Sequence, residues 1–194
     1  MDMYYVKRAA VWLYRWKHCR GFGVQSPTDY RFVRYVINEH APFYAYHDLR
    51  LQYPQLRQED RRFAQLLLRI ANYRQPASCL LLGMPASPYQ AYIQAGCRHT
   101  VVNEGVGEVT DAGVADLVCC QLSGTQLPEV AALLGLTHET SILVLRGIRH
   151  DSHTRQMWSS LLKHPKVSIS YDLFDCGIIL FDKKRYKHNY IINF

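Results

Sequence analysis

The sequence lacks the features that define several large classes of protein. It has no apolar run of the roughly 18 residues that a membrane-spanning helix needs, and no internal repeat or low-complexity segment. No signal peptide is expected, because Lys7, Arg8, Arg15 and Lys17 interrupt any apolar stretch near the N-terminus. The six cysteines form no CxxC pair, so we predict reduced, buried thiols in a cytoplasmic protein.

What is present is an ordinary globular composition with an uneven charge. The 194 residues are 48% apolar and 20% charged, which suits a chain with a real hydrophobic core. The net charge of +7 divides into +7 for residues 1–74 (13 Lys/Arg against 6 Asp/Glu), −5 for residues 75–140 (1 against 6) and +5 for residues 141–194 (9 against 4). Basic ends can bind nucleic acid or phosphate, but a solvated basic face is the more common explanation.

The first 75 residues predict helices. Residues 3–19 carry an apolar stripe at the spacing of an amphipathic helix. Further helices are predicted near residues 28–39 and over about 58–74, while residues 41–56 are expected to be irregular. The members of the N-terminal stripe are Tyr5, Ala9, Trp12, Leu13 and Trp16. We expect this stripe to pack on the domain, although basic and aromatic residues together could also bind a membrane surface or stack on nucleic-acid bases.

After Pro76 short apolar strands alternate with helices. The predicted strands are 79–82, 100–102, 116–120 and 141–145, an antiparallel pair over 167–174 and 176–181, and a last strand over 190–194. The helices between them are predicted over 87–96, 127–135 and 151–163. This alternation is typical of a three-layer α/β domain with a mostly parallel sheet. We therefore predict an N-terminal helical extension over residues 1–75, packed on an α/β domain over residues 76–194.

Residues at two predicted strand ends are candidates for a binding site. Gly83, Met84 and Ser87 lie in the loop after the first strand, where a glycine lets a cofactor approach the backbone. That loop has one glycine and two prolines, which lack backbone donors, so a plain turn is favoured over a phosphate loop. Glu104 ends the second strand, 21 residues after Gly83 (104 − 83), a position at which an acid can bind ribose hydroxyls.

Two histidines are weak candidates for a metal site or a catalytic base. The spacing of His150 and His153 places two imidazoles on one side of a helix, but no third ligand is indicated. The favoured explanation is a solvated helix start capped by Asp151 or Ser152. We therefore predict no metal.

Three stretches, in order along the chain, resemble the class I S-adenosylmethionine-dependent methyltransferases, and most closely an O-methyltransferase-like subfamily with extra N-terminal helices. Residues 21–27 are similar to a family segment of the form H-G-x-H-S-P-F, residues 80–83 and 101–104 look like its first strand, glycine loop and acidic second-strand end, and residues 141–194 follow its end of chain. The resemblance implies a Rossmann-like fold and S-adenosylmethionine as cofactor. The cofactor contacts that it implies are Gly83, Met84, Ser87, Asn103, Glu104 and Gln121.

The sequence departs from the family pattern at the positions that would carry chemistry. Leu81 stands where the family's E-x-G-x-x-x-G motif has its acid, and Gln121 stands where the family's fourth strand ends in Asp. Residues 146–150 read Arg-Gly-Ile-Arg-His where the family has a segment like D-D-I-H-W. Only 11 residues lie between Glu104 and Asp116 (116 − 104 − 1), where the family has a helix, a strand and a helix, so we expect a sheet trimmed at one edge.

Three functions remain open at this point. The departures favour a methyltransferase-like protein with lost or much reduced activity. In that protein loss of S-adenosylmethionine is favoured over its retention, and the partner is an unknown small molecule or protein. An active small-molecule O-methyltransferase would use Glu104 for the ribose and His150 or His153 as the base. A nucleic-acid-binding module would use the basic ends of the chain, in particular the N-terminal helix.

Overall fold

The computed structural model describes residues 3–17, 23–39, 41–105, 113–122 and 128–194. Contacts between Cα atoms divide the chain into two compact units. The first, called here the helical unit, comprises Met1–Pro76, Ala86–Thr100 and Ile192–Phe194. The second, the sheet unit, comprises Ala77–Pro85 and Val101–Ile191. The predicted division at residues 75 and 76 into an extension and a domain stays a prediction.

The helical unit is built around one long helix. Its helices are α1 (Met3–Tyr14), α2 (Pro27–Phe32), a π-helical segment (Val33–Ile37), α3 (Tyr46–Gln52), α4 (Gln58–Arg74) and α5 (Ala86–Gly96). The apolar face of α4 is fully buried at Leu66, Leu67 and Ile70, as the spacing of its apolar residues predicts. The expectation that residues 41–56 are irregular is wrong, because α3 lies there with Leu49 buried.

A buried arginine ties the π-helical segment to α4. Arg69 donates from Nε to the Val36 carbonyl oxygen at 2.5 Å and from Nη2 to the Ile37 carbonyl oxygen at 3.2 Å. Its Nη1 donates to the Tyr46 hydroxyl at 2.9 Å. A buried guanidinium needs acceptors for its donors, and these three bonds give each of its three nitrogens an acceptor.

The described residues of the sheet unit form a seven-stranded sheet in the order β2-β1-β3-β4-β6-β5-β7. The strands are β1 (Ser78–Leu82), β2 (Val101–Gly105), β3 (Leu117–Gln121), β4 (Ile142–Arg146), β5 (Ile169–Asp172), β6 (Cys176–Leu180) and β7 (His188–Ile191). All neighbouring pairs are parallel except those that include β6, which is antiparallel to both β4 and β5. The sequence correctly predicts a mostly parallel sheet with a C-terminal antiparallel hairpin.

One face of this sheet supports the core of the sheet unit. Leu80, Val118 and Leu143 lie in a buried cluster with residues of α6 (Val130–Gly135) and α7 (Ser152–Lys163). Trp158 of α7 lies directly on β6, because a Cβ added at Gly177 would lie 2.5 Å from the indole atom Cη2. A side chain at residue 177 would therefore displace the indole.

The expected trimming concerns the edge formed by β2 and stays a prediction. Among the described residues β2 pairs with β1 alone, and Val101, Asn103 and Glu104 are exposed. Residues 106–112, where the family has further elements, lie outside the described ranges. At the opposite edge β7 adds a parallel strand beside β5, and it begins two residues earlier than predicted.

The thiols are as predicted from the absence of paired cysteine motifs. The five cysteines within the described ranges are buried and free, and Cys19 lies outside those ranges. Burial raises the pKa of the Cys120 thiol to about 12, so this thiol is protonated and unreactive at neutral pH. No helix in the described part of the chain has both the length and the apolar character needed to cross a membrane.

Candidate cofactor site

The candidate residues of the sheet unit meet at one edge of the sheet. Because β1, β2, β3 and β4 are parallel, their carboxyl ends lie together, with Leu82 beside Gly105 and Cys120, and Gln121 beside Arg146. Gly83 follows β1 at this edge. Ligands of open α/β sheets bind at the carboxyl ends of the strands, so this edge is where a cofactor would lie.

Two glycine turns close around the end of β3. Gly83 has a φ of +66°, and a Cβ built on it would lie 3.2 Å from the carbonyl oxygen of Gln121. Gly147 has a φ of +83°, and its Cβ would lie 2.7 Å from the carbonyl oxygen of Leu122 and 3.3 Å from Nε2 of Gln121. Glycine adopts positive φ without steric cost. The side-chain amide of Gln121 is thus held beside the turn after β4.

Glu104 and Asn103 stand at the exposed end of β2. Glu104 is in register with Leu81 of β1, and Asn103 is in register with Leu80. Successive side chains of a strand point to opposite faces, so the two polar groups lie on different sides of the sheet. The exposed carboxylate of Glu104 can accept hydrogen bonds from two neighbouring hydroxyl groups. The resemblance implies this role for Glu104, with the two hydroxyls of the cofactor ribose as its partners.

The loop after β1 offers few backbone donors. Met84 is buried, whereas Ser87 is exposed and has an extended conformation (φ −81°, ψ 129°) within the first turn of α5. Ser87 belongs to the helical unit, while Gly83 and Met84 belong to the sheet unit. Pro85 and Pro88 have no N–H group. The short stretch therefore lacks the row of N–H groups that cradles a phosphate in nucleotide-binding loops.

An arginine and an aspartate join the loop after β4 to the end of β5. Arg149 Nη2 donates to Asp172 Oδ2 at 2.6 Å. Asp172 Oδ1 accepts from the Phe174 N–H at 2.8 Å, and the guanidinium lies 5.3 Å from the centre of the Phe174 ring. The carboxylate is mostly buried, with 11% of its side chain exposed. Both of its oxygens are engaged, so Asp172 is bound to protein groups at this edge.

His150 and His153 lie on the exposed start of α7. The His150 N–H donates to the Gly147 carbonyl oxygen at 3.0 Å, which forms a tight turn. Asp151 caps the helix: its Oδ1 accepts from the Thr154 N–H at 2.8 Å, and its own N–H donates to Thr154 Oγ1 at 3.0 Å. The hydrogen bond from the Thr154 N–H lowers the pKa of Asp151. This confirms a capped, solvated helix start, which was the favoured explanation of the motif.

Within the described ranges no group of three or more His, Cys, Asp or Glu residues is placed to hold a metal ion. His150 and His153 are both exposed and are not joined there by a third ligand.

Sequence reasoning missed a polar cluster at the opposite, amino-terminal edge of the sheet. Asp116 Oδ2 accepts from the N–H groups of Ala77 and Ser78 at 2.9 and 3.0 Å and from the Ser78 hydroxyl at 3.2 Å. Its Oδ1 lies 3.1 Å from His138 Nε2, and His138 Nδ1 lies 3.0 Å from the Thr140 hydroxyl. The cluster joins β1, β3 and the loop before β4. A single acid ahead of an apolar run is the one signal in the sequence, and the strand predicted over 116–120 includes this acid only as its first residue.

Comparison with known proteins supports the fold assignment. No model of a protein family matches the sequence, and no curated protein matches it. Among solved structures, the chain is similar to the S-adenosylhomocysteine-bound methyltransferase PaMTH1 of Podospora anserina, with a TM-score of 0.52, 14% identity, and 82% of this chain and 97% of that chain covered. It also matches the O-methyltransferase TomG of Streptomyces achromogenes, with a TM-score of 0.48, 13% identity, and 73% and 91% of the two chains covered.

The similarity to PaMTH1, together with the order of the strands, defines the class of fold. The chain has the Rossmann-like fold of the class I S-adenosylmethionine-dependent methyltransferases. At 14% identity the similarity concerns the fold alone, since one fold supports many functions. The resemblance identified in the sequence is therefore confirmed for architecture, and the activity has to be argued from the site itself.

Proposed function

We propose that this protein is methyltransferase-like, with methyl transfer lost or much reduced. The observation that carries the proposal is the bond from Arg149 to Asp172 at the carboxyl edge of the sheet. Two arginines, Arg146 and Arg149, occupy the segment where the resemblance implies acids. Asp172, an acid that the fold places at this edge, accepts hydrogen bonds from protein groups.

Some features of this site suit the cofactor and others do not. The exposed carboxylate of Glu104 is suited to a ribose, and the turn at Gly83 lets a ligand approach the backbone. Against this, Leu81, which is in register with Glu104, is fully buried where the family has an acid, and Arg146 adds positive charge at the end of β4. S-adenosylmethionine carries a positive sulfonium, so a cationic edge disfavours it electrostatically relative to the uncharged thioether of S-adenosylhomocysteine.

Calorimetric titration with both ligands tests the proposal. We expect no measurable heat from S-adenosylmethionine at about 1 mM, which corresponds to a binding free energy weaker than about −4 kcal/mol. If S-adenosylhomocysteine binds, we expect it to bind more tightly than S-adenosylmethionine. Micromolar binding of S-adenosylmethionine, weakened by Glu104→Ala but not by Glu139→Ala, would contradict the proposal. Glu139 is the matched control because it is an exposed acid in the loop before β4, at the amino-terminal edge.

The second candidate function is an active small-molecule O-methyltransferase with a reduced cofactor site. It is supported by the exposure of Glu104 and by the fit of the Gly83 turn against Gln121. Methyl transfer depends mainly on alignment of acceptor and cofactor and sometimes on a base, and His150 and His153 are exposed at the same edge. Micromolar cofactor binding followed by turnover in a screen of small hydroxylated acceptors would favour this function.

A further inference from the structure

Helix α1 presents apolar side chains to solvent, while the arginine that follows it is buried. Arg15, just after the helix, is only 2% exposed, whereas Trp12, Leu13 and Trp16 are 53%, 65% and 60% exposed. In an ordinary surface helix the apolar stripe faces the core and the charged residues face water. The expectation that the stripe packs on the domain is therefore wrong for these three residues.

Hydrogen bonds to the last residues of the chain fix this orientation. Arg15 Nη1 donates to the Ile192 carbonyl oxygen at 3.3 Å. Asn193 Nδ2 donates to the Trp12 carbonyl oxygen at 3.2 Å. Both contacts lie within the helical unit and connect the end of α1 and Arg15 to residues 192–194. Since a buried guanidinium needs acceptors, turning α1 to bury its apolar side would expose Arg15 and break this bond.

The α1 stripe, defined here as Val6, Ala9, Trp12, Leu13 and Trp16, is exposed at every member. The chain around it is positively charged and contains no acid. Between residues 3 and 28 the sequence has five Lys or Arg residues and no Asp or Glu. Lys17 Nζ lies 5.7 Å from the centre of the Trp16 ring, so a positive charge adjoins the stripe directly. A partner that complements the α1 stripe therefore has an apolar interior and a negatively charged boundary with water.

We propose that the α1 stripe binds the surface of an anionic lipid bilayer, with the helix lying in the plane of the interface. Interfacial helices combine Trp and Leu on one side with basic residues beside them, and Trp is enriched at the level of the lipid headgroups. The stripe inserts between headgroups while Lys17 stays with the lipid phosphates.

The size and shape of the stripe favour a bilayer over other partners. A helix of 12 residues is about 18 Å long and about 10 Å wide, so its exposed side offers about 200 Å², against about 800 Å² per partner in a standard protein interface. Proteins that bind single-stranded nucleic acid use a basic groove with aromatic platforms, whereas this surface is a convex helix on which the aliphatic Val6, Ala9 and Leu13 accompany the two indoles.

Vesicle flotation tests the proposal with the full chain. We expect the protein to float with phosphatidylcholine vesicles that contain about 30% phosphatidylserine, to bind pure phosphatidylcholine more weakly, and to lose affinity as salt rises. Trp12 and Trp16 would enter an apolar environment and shift their emission to the blue. Trp158, the third tryptophan, is buried in the sheet unit and supplies a constant background.

Two matched variants distinguish binding through the α1 stripe from non-specific adsorption to lipid. Leu13→Glu is expected to lower the vesicle partition coefficient by about tenfold or more, because it removes apolar contact and adds like charge to the lipid. Leu51→Glu changes a leucine that is 68% exposed on α3 and is expected to leave partitioning unchanged. Both residues are exposed, so equal thermal melting curves for both variants will confirm that they fold.

Three outcomes would overturn the proposal. One is the absence of flotation with the anionic vesicles, and another is an equal loss of binding in the two variants. The third is that Leu13→Glu leaves vesicle binding intact but abolishes binding to another partner. That partner would be a second copy of the chain, seen as a dimer at micromolar concentration without lipid, or a single-stranded RNA oligonucleotide bound in a salt-sensitive way. None of these readouts involves a methylated cofactor, so the result is independent of the proposed function.

Discussion

Arg149 and Asp172 form a 2.6 Å ion pair that joins the loop after β4 to the carboxyl end of β5. The aspartate is mostly buried, and the arginine is the charged partner of its Oδ2 atom. We predict that Arg149→Ala lowers the free energy of unfolding by about 1–2 kcal/mol, since it leaves a buried carboxylate without its cation. Urea titration at neutral pH measures this.

A second ion pair provides the control for Arg149→Ala. Lys183 and Glu139 are 72% and 60% exposed, and pairs of this kind contribute about 0–1 kcal/mol. Lys183→Ala should therefore change stability by less than about 0.5 kcal/mol. If the two variants were equally stable, the Arg149–Asp172 pair would contribute no more to the free energy of unfolding than an exposed pair. The proposal that this pair occupies the site at the expense of methyl transfer would then be weakened.

The second prediction concerns Asp116 and pH. Burial alone would raise the pKa of Asp116, but the N–H groups of Ser78 and Ala77, the Ser78 hydroxyl and His138 together lower it. The folded pKa is thus below the unfolded value of about 3.9, so the stabilisation is complete above that value and is lost as pH falls through the folded pKa. We predict that Asp116→Asn costs about 1–3 kcal/mol at pH 7.

The difference between wild type and Asp116→Asn should shrink as the pH is lowered below about 4. Urea unfolding at neutral and acidic pH measures this change. Asp48→Asn, which alters an exposed acid in the first turn of α3, is expected to cost less than about 1 kcal/mol. A penalty for Asp116→Asn that stays constant down to pH 3 would show that the carboxylate charge does not stabilise the β1–β3 junction.

The third prediction uses two glycines with the same backbone angle. Gly147 and Gly23 both have a φ of +83°, but an added Cβ meets the Leu122 carbonyl oxygen at 2.7 Å only at residue 147 and meets nothing within 4 Å at residue 23. Gly23→Ala should cost about 1 kcal/mol from backbone strain. Gly147→Ala should cost about 1–2 kcal/mol more, because the Cβ also displaces the end of β3.

Thermal unfolding of the two alanine variants separates strain from collision. A larger loss of stability in Gly147→Ala than in Gly23→Ala is the expected result. Equal losses would mean that the turn after β4 can move away from Leu122, and that Gln121 is not held in place by it.

The local pattern of apolar residues predicts the helices and strands that are buried in the same way along their whole length. The spacing of apolar residues located α4, and the unbroken apolar runs located β1 and β4, because a strand buried on both faces has no polar positions. The predicted helix over 58–74 coincides with α4 (Gln58–Arg74). The resemblance added the Rossmann-like class of fold and the expectation of a trimmed edge, which apolar patterning does not determine.

Features that depend on contacts between residues far apart in the sequence were not predicted. The orientation of α1 is set by the acceptor that Arg15 finds at Ile192, 177 residues further along the chain, and a periodic stripe does not show which side will face the protein. The bond between Arg149 and Asp172 likewise spans 23 residues. In both cases the arrangement follows from the free-energy cost of burying a charge without a partner. The identity of that partner can be read only from the folded structure.

The final prediction concerns the charge of Arg146 and the choice between the two forms of the cofactor. Arg146 lies beside Gln121 at the carboxyl edge of the sheet, where it would repel the sulfonium of S-adenosylmethionine but not the neutral S-adenosylhomocysteine. Two unit charges about 8 Å apart at an effective dielectric constant of about 40 interact by about 1 kcal/mol. Arg146→Gln should therefore shift the ratio of the two dissociation constants about fivefold in favour of S-adenosylmethionine.

The ratio is measured by direct titration of S-adenosylhomocysteine and by its displacement with S-adenosylmethionine at millimolar concentration. Arg155→Gln removes an equal charge from an exposed position on α7 and controls for the general effect of net charge. A similar shift in both variants, or none in Arg146→Gln, would show that Arg146 does not face the sulfonium. In that case the low affinity expected for the cofactor would have to come from the loop after β1, where Pro85 and Pro88 remove backbone donors.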